Sequence, residues 1–264
     1  MSSNKLQDSK RVIHQFGGVC WAIPLSLLTS CWRDISLHNI LPDYRIQRAE
    51  SFHNTDDQIR TAGAELWLRL MLAMITGQSP GELSISFGEF RKPRLTNHPN
   101  SLPLYFNIAH SGGWILIAIA TGSDIGVDVE DTSRMSVELK DTILSDDERS
   151  TLMLPQGNSR LIKQQLTRYW VGKEAYTKLL GQGITMPIQE ITIDAENEVS
   201  RVFFQSKPSG CWLAIGNLDR EHQWALATHH QSLTSQVFNH LILVDRPLFN
   251  EAFQSFGGPY SLRK

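Results

Sequence analysis

Three segments of this 264-residue chain hold side chains whose types and spacing suit chemistry on a phosphorylated ligand. Ile125-Gly126-Val127-Asp128-Val129-Glu130 alternates strictly, as a β-strand does. Asp128 and Glu130 then share one face, and Ile125, Val127 and Val129 the other. Two carboxylates two residues apart repel each other unless a cation lies between them. Oxygen ligands with no His or Cys nearby favour a hard ion, Mg²⁺ ahead of Zn²⁺. The other reading is a half-exposed strand with its acidic residues in water. Gly126, on the face of Asp128, leaves room for something to approach.

The second segment is RLIKQQLTRYWVGKEAYTKLLGQG, a helix from about Arg160 to Leu180. Its apolar stripe runs through Ile162, Leu166, Tyr169, Tyr176 and Leu180. Lys173 interrupts that stripe and must either extend to water or meet an anion. Glu174 and Lys178 stand at i and i+4. They form either a surface ion pair worth ~0.3–0.5 kcal/mol or a third carboxylate beside two ammonium groups, suited to a metal-bound phosphate. The third segment, Phe106-Asn107-Ile108-Ala109-His110-Ser111-Gly112-Gly113, ends a strand in donors and glycines that can approach phosphate oxygens. A hairpin turn with a hydrogen-bonded histidine explains it equally well. No Walker loop exists. Basic groups collect upstream, at Arg91-Lys92-Pro93-Arg94 and at Arg45, Arg48 and Arg60; each alone reads as a solvated surface charge.

The elements that must position these residues fall into a repeated order. Residues 1–17 read as a loose leader, Val19 to Leu25 as a strand, and Leu41-Pro42-Asp43 as a helix start. Thr55-Asp56-Asp57-Gln58 has the form of a capping box, followed by apolar residues at Ile59, Ala62, Leu66, Leu70 and Ala73. Gly77 and Pro80 stop that helix, and strands follow at Leu83–Phe87, Leu104–Ala109 and Ile115–Thr121. The second half opens with another capping box at Ser145–Glu148, which Pro155-Gln156-Gly157-Asn158 ends. The long helix comes next, stopping at Gly181-Gln182-Gly183, then strands at Ile188–Ile193, Val202–Gln205, Cys211–Ile215 and Gln223–Thr228. The helix tryptophans Trp67 and Trp170 lie 103 residues apart, and the strands starting at Trp114 and Gln223 lie 109 apart. The chain therefore reads as α+β, in two similar α/β lobes: 1–124, then 125–235 with the acidic strand, then a surface tail at 236–264.

Composition bounds the function. With 41% hydrophobic residues, 20% charged residues and a net charge of −2, the chain is globular. It is neither a basic nucleic-acid binder nor a polybasic membrane binder. The polar start MSSNKLQDSKR is not a secretory signal, and no apolar run is long enough to span a bilayer. Cys20, Cys31 and Cys211 form no C-x-x-C pair, which fits reduced thiols and a cytoplasmic location. The near-zero sum hides opposed blocks. Asp124 to Glu148 holds nine acidic and two basic residues, net −7; Arg160 to Lys178 holds five basic and one acidic, net +4.

The ordered set FNIAHS, IGVDVE and WVGKEAYTK resembles the Sfp-type 4′-phosphopantetheinyl transferases, from about Pro42 to Thr228. That family shows F-N-[IL]-S-H-S, [IV]-G-[IV]-D-[IVL]-E and W-x-x-K-E-[AS]-x-x-K. The resemblance implies a pseudo-twofold α+β fold with coenzyme A in the cleft between lobes. It implies transfer of the phosphopantetheine arm to a serine of an apo acyl, peptidyl or aryl carrier protein, releasing adenosine 3′,5′-bisphosphate. Asp128, Glu130 and Glu174 match the magnesium ligands, and Glu174 is also a candidate base for the carrier serine. Lys178 matches a lysine at the diphosphate, with Lys173 in the same motif orienting it or binding phosphate. His110 and Ser111 match a diphosphate or 3′-phosphate contact. Lys92, Arg60 and Thr61 match the adenosine-phosphate side, with Arg45 and Arg48 beside them. Ala109 replaces a usual serine, and Arg91 a common glycine; neither removes a metal ligand. A monomer follows from both lobes lying in one chain. The competing readings are a metal-dependent phosphoesterase and a non-catalytic binder of coenzyme A or carrier proteins. The carrier's pathway, fatty-acid or secondary-metabolite, stays open.

Overall fold

A computed structural model describes residues 5–32, 35–38, 40–88, 92–96, 103–152 and 157–255. In chain order the elements begin α1 (Lys5–Phe16), β1 (Gly18–Pro24), α2 (Leu25–Cys31), α3 (Asp43–Glu50) and α4 (Thr55–Thr76). Then come β2 (Ile85–Phe87), β3 (Pro93–Leu95), β4 (Leu104–Ser111), β5 (Trp114–Thr121) and β6 (Ile125–Asp131). Next are α5 (Lys140–Ile143), α6 (Asp146–Thr151), α7 (Ser159–Leu180), β7 (Ile191–Ile193), β8 (Val199–Phe204), β9 (Lys207–Asn217) and β10 (His222–Thr228). The last are α8 (Gln231–Asn239), β11 (Ile242–Leu243) and α9 (Arg246–Ser255).

The architecture is mixed α+β with two main sheets. One has the order β11-β1-β5-β4, the other β6-β10-β9-β8-β7, and β2-β3 form a separate ribbon. Both sheets share a wiring. A first strand (β1 or β6) is followed by a long helix, and a later hairpin (β4–β5 or β9–β10) returns its second strand antiparallel to the first. Helix α4 packs Leu66, Trp67 and Leu70 against Phe106, Ile117 and Ile119 of the first sheet. Helix α7 packs Leu166, Val171 and Ala175 against Leu213, Ile215 and Ala225 of the second.

Both long helices end as their sequences require. Gly77 and Gly181 close them in the left-handed region, at φ 76° and 73°, which glycine adopts without a Cβ penalty. The start of α4 differs from expectation by one residue. Its N-cap is Asn54, which accepts from the Asp56 amide at 2.8 Å, so the Thr55–Gln58 pattern lies inside the helix rather than at its cap. The Ser145–Glu148 box forms as read.

The sheets meet through small side chains. Cys20, Ala22, Ala109, Ala118 and Ala120 face Ile125, Val127, Val129 and Leu226. Asn107 Oδ1 ties them, accepting from the buried Val127 amide at 3.0 Å. Ala109, where the resembling family has serine, is thus an inter-sheet core residue, 3% exposed.

Two expectations at the chain ends are corrected. The stretch read as a loose leader forms helix α1 from Lys5, which buries Leu6, Val12 and Ile13. The presumed surface tail is structural: β11 runs parallel to β1, and Val244, Leu248, Phe249 and Phe253 enter the α4 core. Phe249 stacks on Trp67 at 5.9 Å. Arg91 and the Pro155-Gln156 break lie outside the described residues.

Candidate active site

Strand β6 and helix α7 lie backbone against backbone at Gly126. A Cβ there would fall 2.2 Å from the Ala175 carbonyl and 2.4 Å from the Leu179 amide. What approaches Gly126 is therefore the helix, not a ligand. This contact lays Glu174 and Lys178 alongside Asp128 and Glu130.

Asp128 is almost fully buried. Its Oδ1 accepts from Lys178 Nζ at 2.5 Å, while its Oδ2 is buried without a hydrogen-bond partner. Burial pushes the Asp128 carboxyl up to about 6, against the opposing pull of Lys178 and with repulsion from Glu174. Burial also raises Glu174, with Glu130 adding, and Glu174 Oε1 is a second buried oxygen without a partner. Glu130 is raised by burial and then by Asp128; its Oε2 accepts from Ser111 Oγ at 2.9 Å, and Trp170 also hydrogen-bonds it. Burial opposes the Lys178 ammonium, yet Asp128, Glu174 and Glu130 outweigh it and hold the lysine above its ordinary value. Three mutually repelling carboxylates with two orphaned oxygens fit a hard cation in their donor chemistry. Among the described residues no three such groups are already drawn together as a finished metal cluster. The strand is far more buried than the half-exposed alternative requires: Asp128 is 3% exposed.

The β4–β5 turn adjoins these carboxylates. His110 lies on the far side, its imidazole held below the ordinary value by burial and by the cations Arg60 and Lys178. His110 also lines a cavity of about 440 Å³ with Arg45, Arg48, Arg60 and Thr61. Five residues predicted from sequence for a phosphorylated ligand thus share one hollow, and His110, at its edge, also feels the charge of Lys178. Its further lining was missed: Phe52 and Phe87 supply apolar walls, and Asp57 and Glu65 hold the arginines. Asp57 pairs with Arg60, and Glu65 with both Arg45 and Arg69. Arg45 also lies over the Phe87 ring, 5.9 Å from its centroid. The spacing of Asp57 to Arg60 at i, i+3 and Glu65 to Arg69 at i, i+4 was the available signal.

Two predicted ligands are elsewhere. Lys173 is completely buried and donates to Glu148 Oε2 at 2.6 Å and to the Ile143 and Ile188 carbonyls. It meets an anion, but a structural one. Lys92 donates to Asp124 Oδ1 and to the Leu179 carbonyl, both at 2.6 Å, so it braces the end of α7 rather than lining the hollow. A larger cavity, about 730 Å³, lies between the start of α7 and the β9–β10 turn and contains none of the predicted site residues.

The fold and this pairing of acidic strand with Lys-Glu helix define a class. The chain belongs to the 4′-phosphopantetheinyl transferase superfamily, whose profile matches residues 124–229, and it is an enzyme of that kind. It is 30% identical over 176 residues to the 4′-phosphopantetheinyl transferase HetI of Nostoc sp., covering 66% of this chain and 72% of that protein. It is 24% identical over 204 residues to the 4′-phosphopantetheinyl transferase Sfp of Bacillus subtilis, covering 75% and 86%. A phosphopantetheinyl transferase of Thraustochytrium sp. is 24% identical over 200 residues, covering 70% and 69%.

Proposed function

We propose that this enzyme moves the phosphopantetheine arm of coenzyme A onto a serine of an apo acyl, peptidyl or aryl carrier protein, releasing adenosine 3′,5′-bisphosphate. The observation that carries this reading is the pair of buried, unpartnered oxygens on Asp128 and Glu174 beside the Lys178 ammonium. Asp128, Glu130 and Glu174 would hold Mg²⁺, which when bound supplies charge neutralisation at a diphosphate. Arg48, Arg60 and Thr61 would take the adenosine-phosphate end in the 440 Å³ hollow, with Phe87 and Phe52 flanking the base. Guanidiniums suit this because their forked donors match phosphate oxygens. His110 and Lys178 then fall at the diphosphate. Their task is to position the scissile bond and offset developing charge, the main demands of phosphoryl transfer. Glu174, raised by burial, would accept the proton of the incoming serine hydroxyl, directly or through a water.

In this reading the halves on either side of Asp124 are related by a pseudo-twofold axis, and the ligand lies between them. The shared wiring of the two sheets supports it. The enzyme acts as a cytoplasmic monomer. Cys20, Cys31 and Cys211 are all buried, as a reducing compartment allows. Among the described residues no helix is long and apolar enough to cross a membrane. Asp128→Ala tests the assignment. Transfer should fall by at least about a hundredfold while the circular dichroism spectrum is retained. Normal turnover with Mg²⁺ in that variant would remove Asp128 from the site.

A further inference from the structure

The β4–β5 turn that carries His110 and Ser111 is gripped from the opposite sheet. His222, the first residue of β10, puts its Nε2 3.3 Å from the Gly113 amide. Its Nδ1 lies 2.9 and 3.1 Å from the two carboxylate oxygens of Asp219, in the β9–β10 turn. Asp219 is itself over-determined. Its Oδ1 accepts from the Glu221 and His222 amides, each at 2.8 Å, and its Oδ2 from the Trp114 indole at 2.8 Å. Burial would raise this carboxyl, but those donors outweigh it and pull it down to about 2. A carboxylate on Nδ1 requires the proton on that nitrogen, which leaves Nε2 as the lone-pair acceptor that the Gly113 N–H needs. The turn is shaped to receive the ring. Gly112 is left-handed at φ 52°, and a Cβ there would fall 2.4 Å from His222 Nε2.

The same few residues are held from the other sides. Arg60 donates to the Gly112 carbonyl at 2.9 Å, and Ser111 donates to Glu130. The turn therefore connects the arginine hollow, the carboxylate cluster and the β9–β10 turn.

We propose that Asp219 and His222 are a positioning pair for transfer, fixing the β4–β5 turn so that His110 and Ser111 stay in register with Asp128, Glu130 and Lys178. This rests on the transferase reading above. Neither residue touches the reacting atoms. A displacement of about 1 Å in a positioning contact can cost roughly a hundredfold in rate, so a clamp one residue from Trp114 and two from Ser111 has leverage.

The experiment measures carrier-protein transfer by the full-length chain with His222→Ala, His222→Gln and Asp219→Asn, well below their melting temperatures. His222→Ala should lower kcat/KM about tenfold or more. His222→Gln can still offer an amide oxygen to the Gly113 N–H and should recover to within about threefold of wild type. Asp219→Asn should lose as much as His222→Ala. All four partners of Asp219 are donors, so an amide nitrogen must face one of them or force the wrong imidazole tautomer. Melting temperatures should move by only a few degrees, because the pair sits at the surface end of the strands. Wild-type rates in His222→Ala and Asp219→Asn would overturn the proposal, as would a loss explained wholly by unfolding or shared equally by His222→Gln. No transfer by the wild-type chain would instead overturn the underlying reading.

Discussion

Asp128 is the residue on which most of the site's electrostatics converge. It is buried, shares its one satisfied oxygen with Lys178, and faces Glu174. Burial pushes its carboxyl up to about 6, so folding disfavours the ionised form relative to the unfolded chain. The cost of holding it ionised is absent below about pH 4, grows to about pH 6, and is fully present above that. Without divalent cation, this group should therefore make the protein melt at higher temperature at pH 5 than at pH 7.5. Asp128→Asn should shrink that difference, the remainder coming from Glu130 and Glu174, which burial also raises. Added Mg²⁺ should raise the melting temperature more at pH 7.5 than at pH 5; differential scanning fluorimetry reads both. At this scale the sequence was informative about identity but not about partner. Alternation put Asp128 and Glu130 on one face, and spacing put Glu174 and Lys178 together. It could not tell an ammonium that binds phosphate from one that orients the helix, and the structure pairs Lys173 with Glu148 and Lys92 with Asp124. Both do meet oxygen acceptors, as buried lysines must.

At the scale of elements, the site depends on how tightly α7 lies on β6. Gly126 permits the contact, and the Lys173–Glu148 pair anchors the other side of the helix. Glu148 caps α6, accepts from Lys173, and takes the Ile193 amide on its second oxygen at 2.8 Å. Removing Lys173 leaves that carboxylate buried and under-satisfied. Lys173→Ala should cost about 3–5 kcal/mol of stability, measured by urea unfolding, with residual activity scaling with the folded fraction. A variant that stayed as stable as wild type but lost coenzyme A binding would return Lys173 to the ligand site. Helix and strand periods were legible wherever one face was apolar, as in α4, α7, β4, β5 and β6. The cap of α4 was misread because Thr55 and Asn54 are both good capping residues, and only backbone geometry chooses between them. Lys92 had a readable clue in its neighbouring proline turn, but its partner, the Leu179 carbonyl, is 87 residues away.

For the whole molecule, the near-neutral net charge conceals an acidic strand block set against a basic helix block, and the fold brings the two into contact. The repeated helix-then-strands order was visible in the sequence and corresponds to two sheets wired alike. The chain ends were overlooked: Leu6, Val12, Ile13 and Phe16 in α1, and Leu248, Phe249, Ala252 and Phe253 in α9, do fall at helical intervals, but nothing in the sequence says that both pack into the α4 core. Deleting residues from Ile242 onward removes Val244, Leu248, Phe249 and Phe253, at roughly 1.5–3 kcal/mol each. That sum reaches the whole stability of an ordinary domain, so the truncated chain should lose its cooperative thermal transition in calorimetry. A sharp transition near the wild-type temperature would show that the first sheet closes its core without them. Transfer of a phosphopantetheine group by this assembly of carboxylates, Lys178 and an arginine-lined hollow is read most directly by weighing the acceptor. An apo carrier protein is incubated with the wild-type chain, coenzyme A and Mg²⁺, and its intact mass is measured. The carrier should gain one phosphopantetheine group on its serine, with adenosine 3′,5′-bisphosphate released in equal amount. A carrier of unchanged mass, whether coenzyme A is hydrolysed or merely bound, would contradict it.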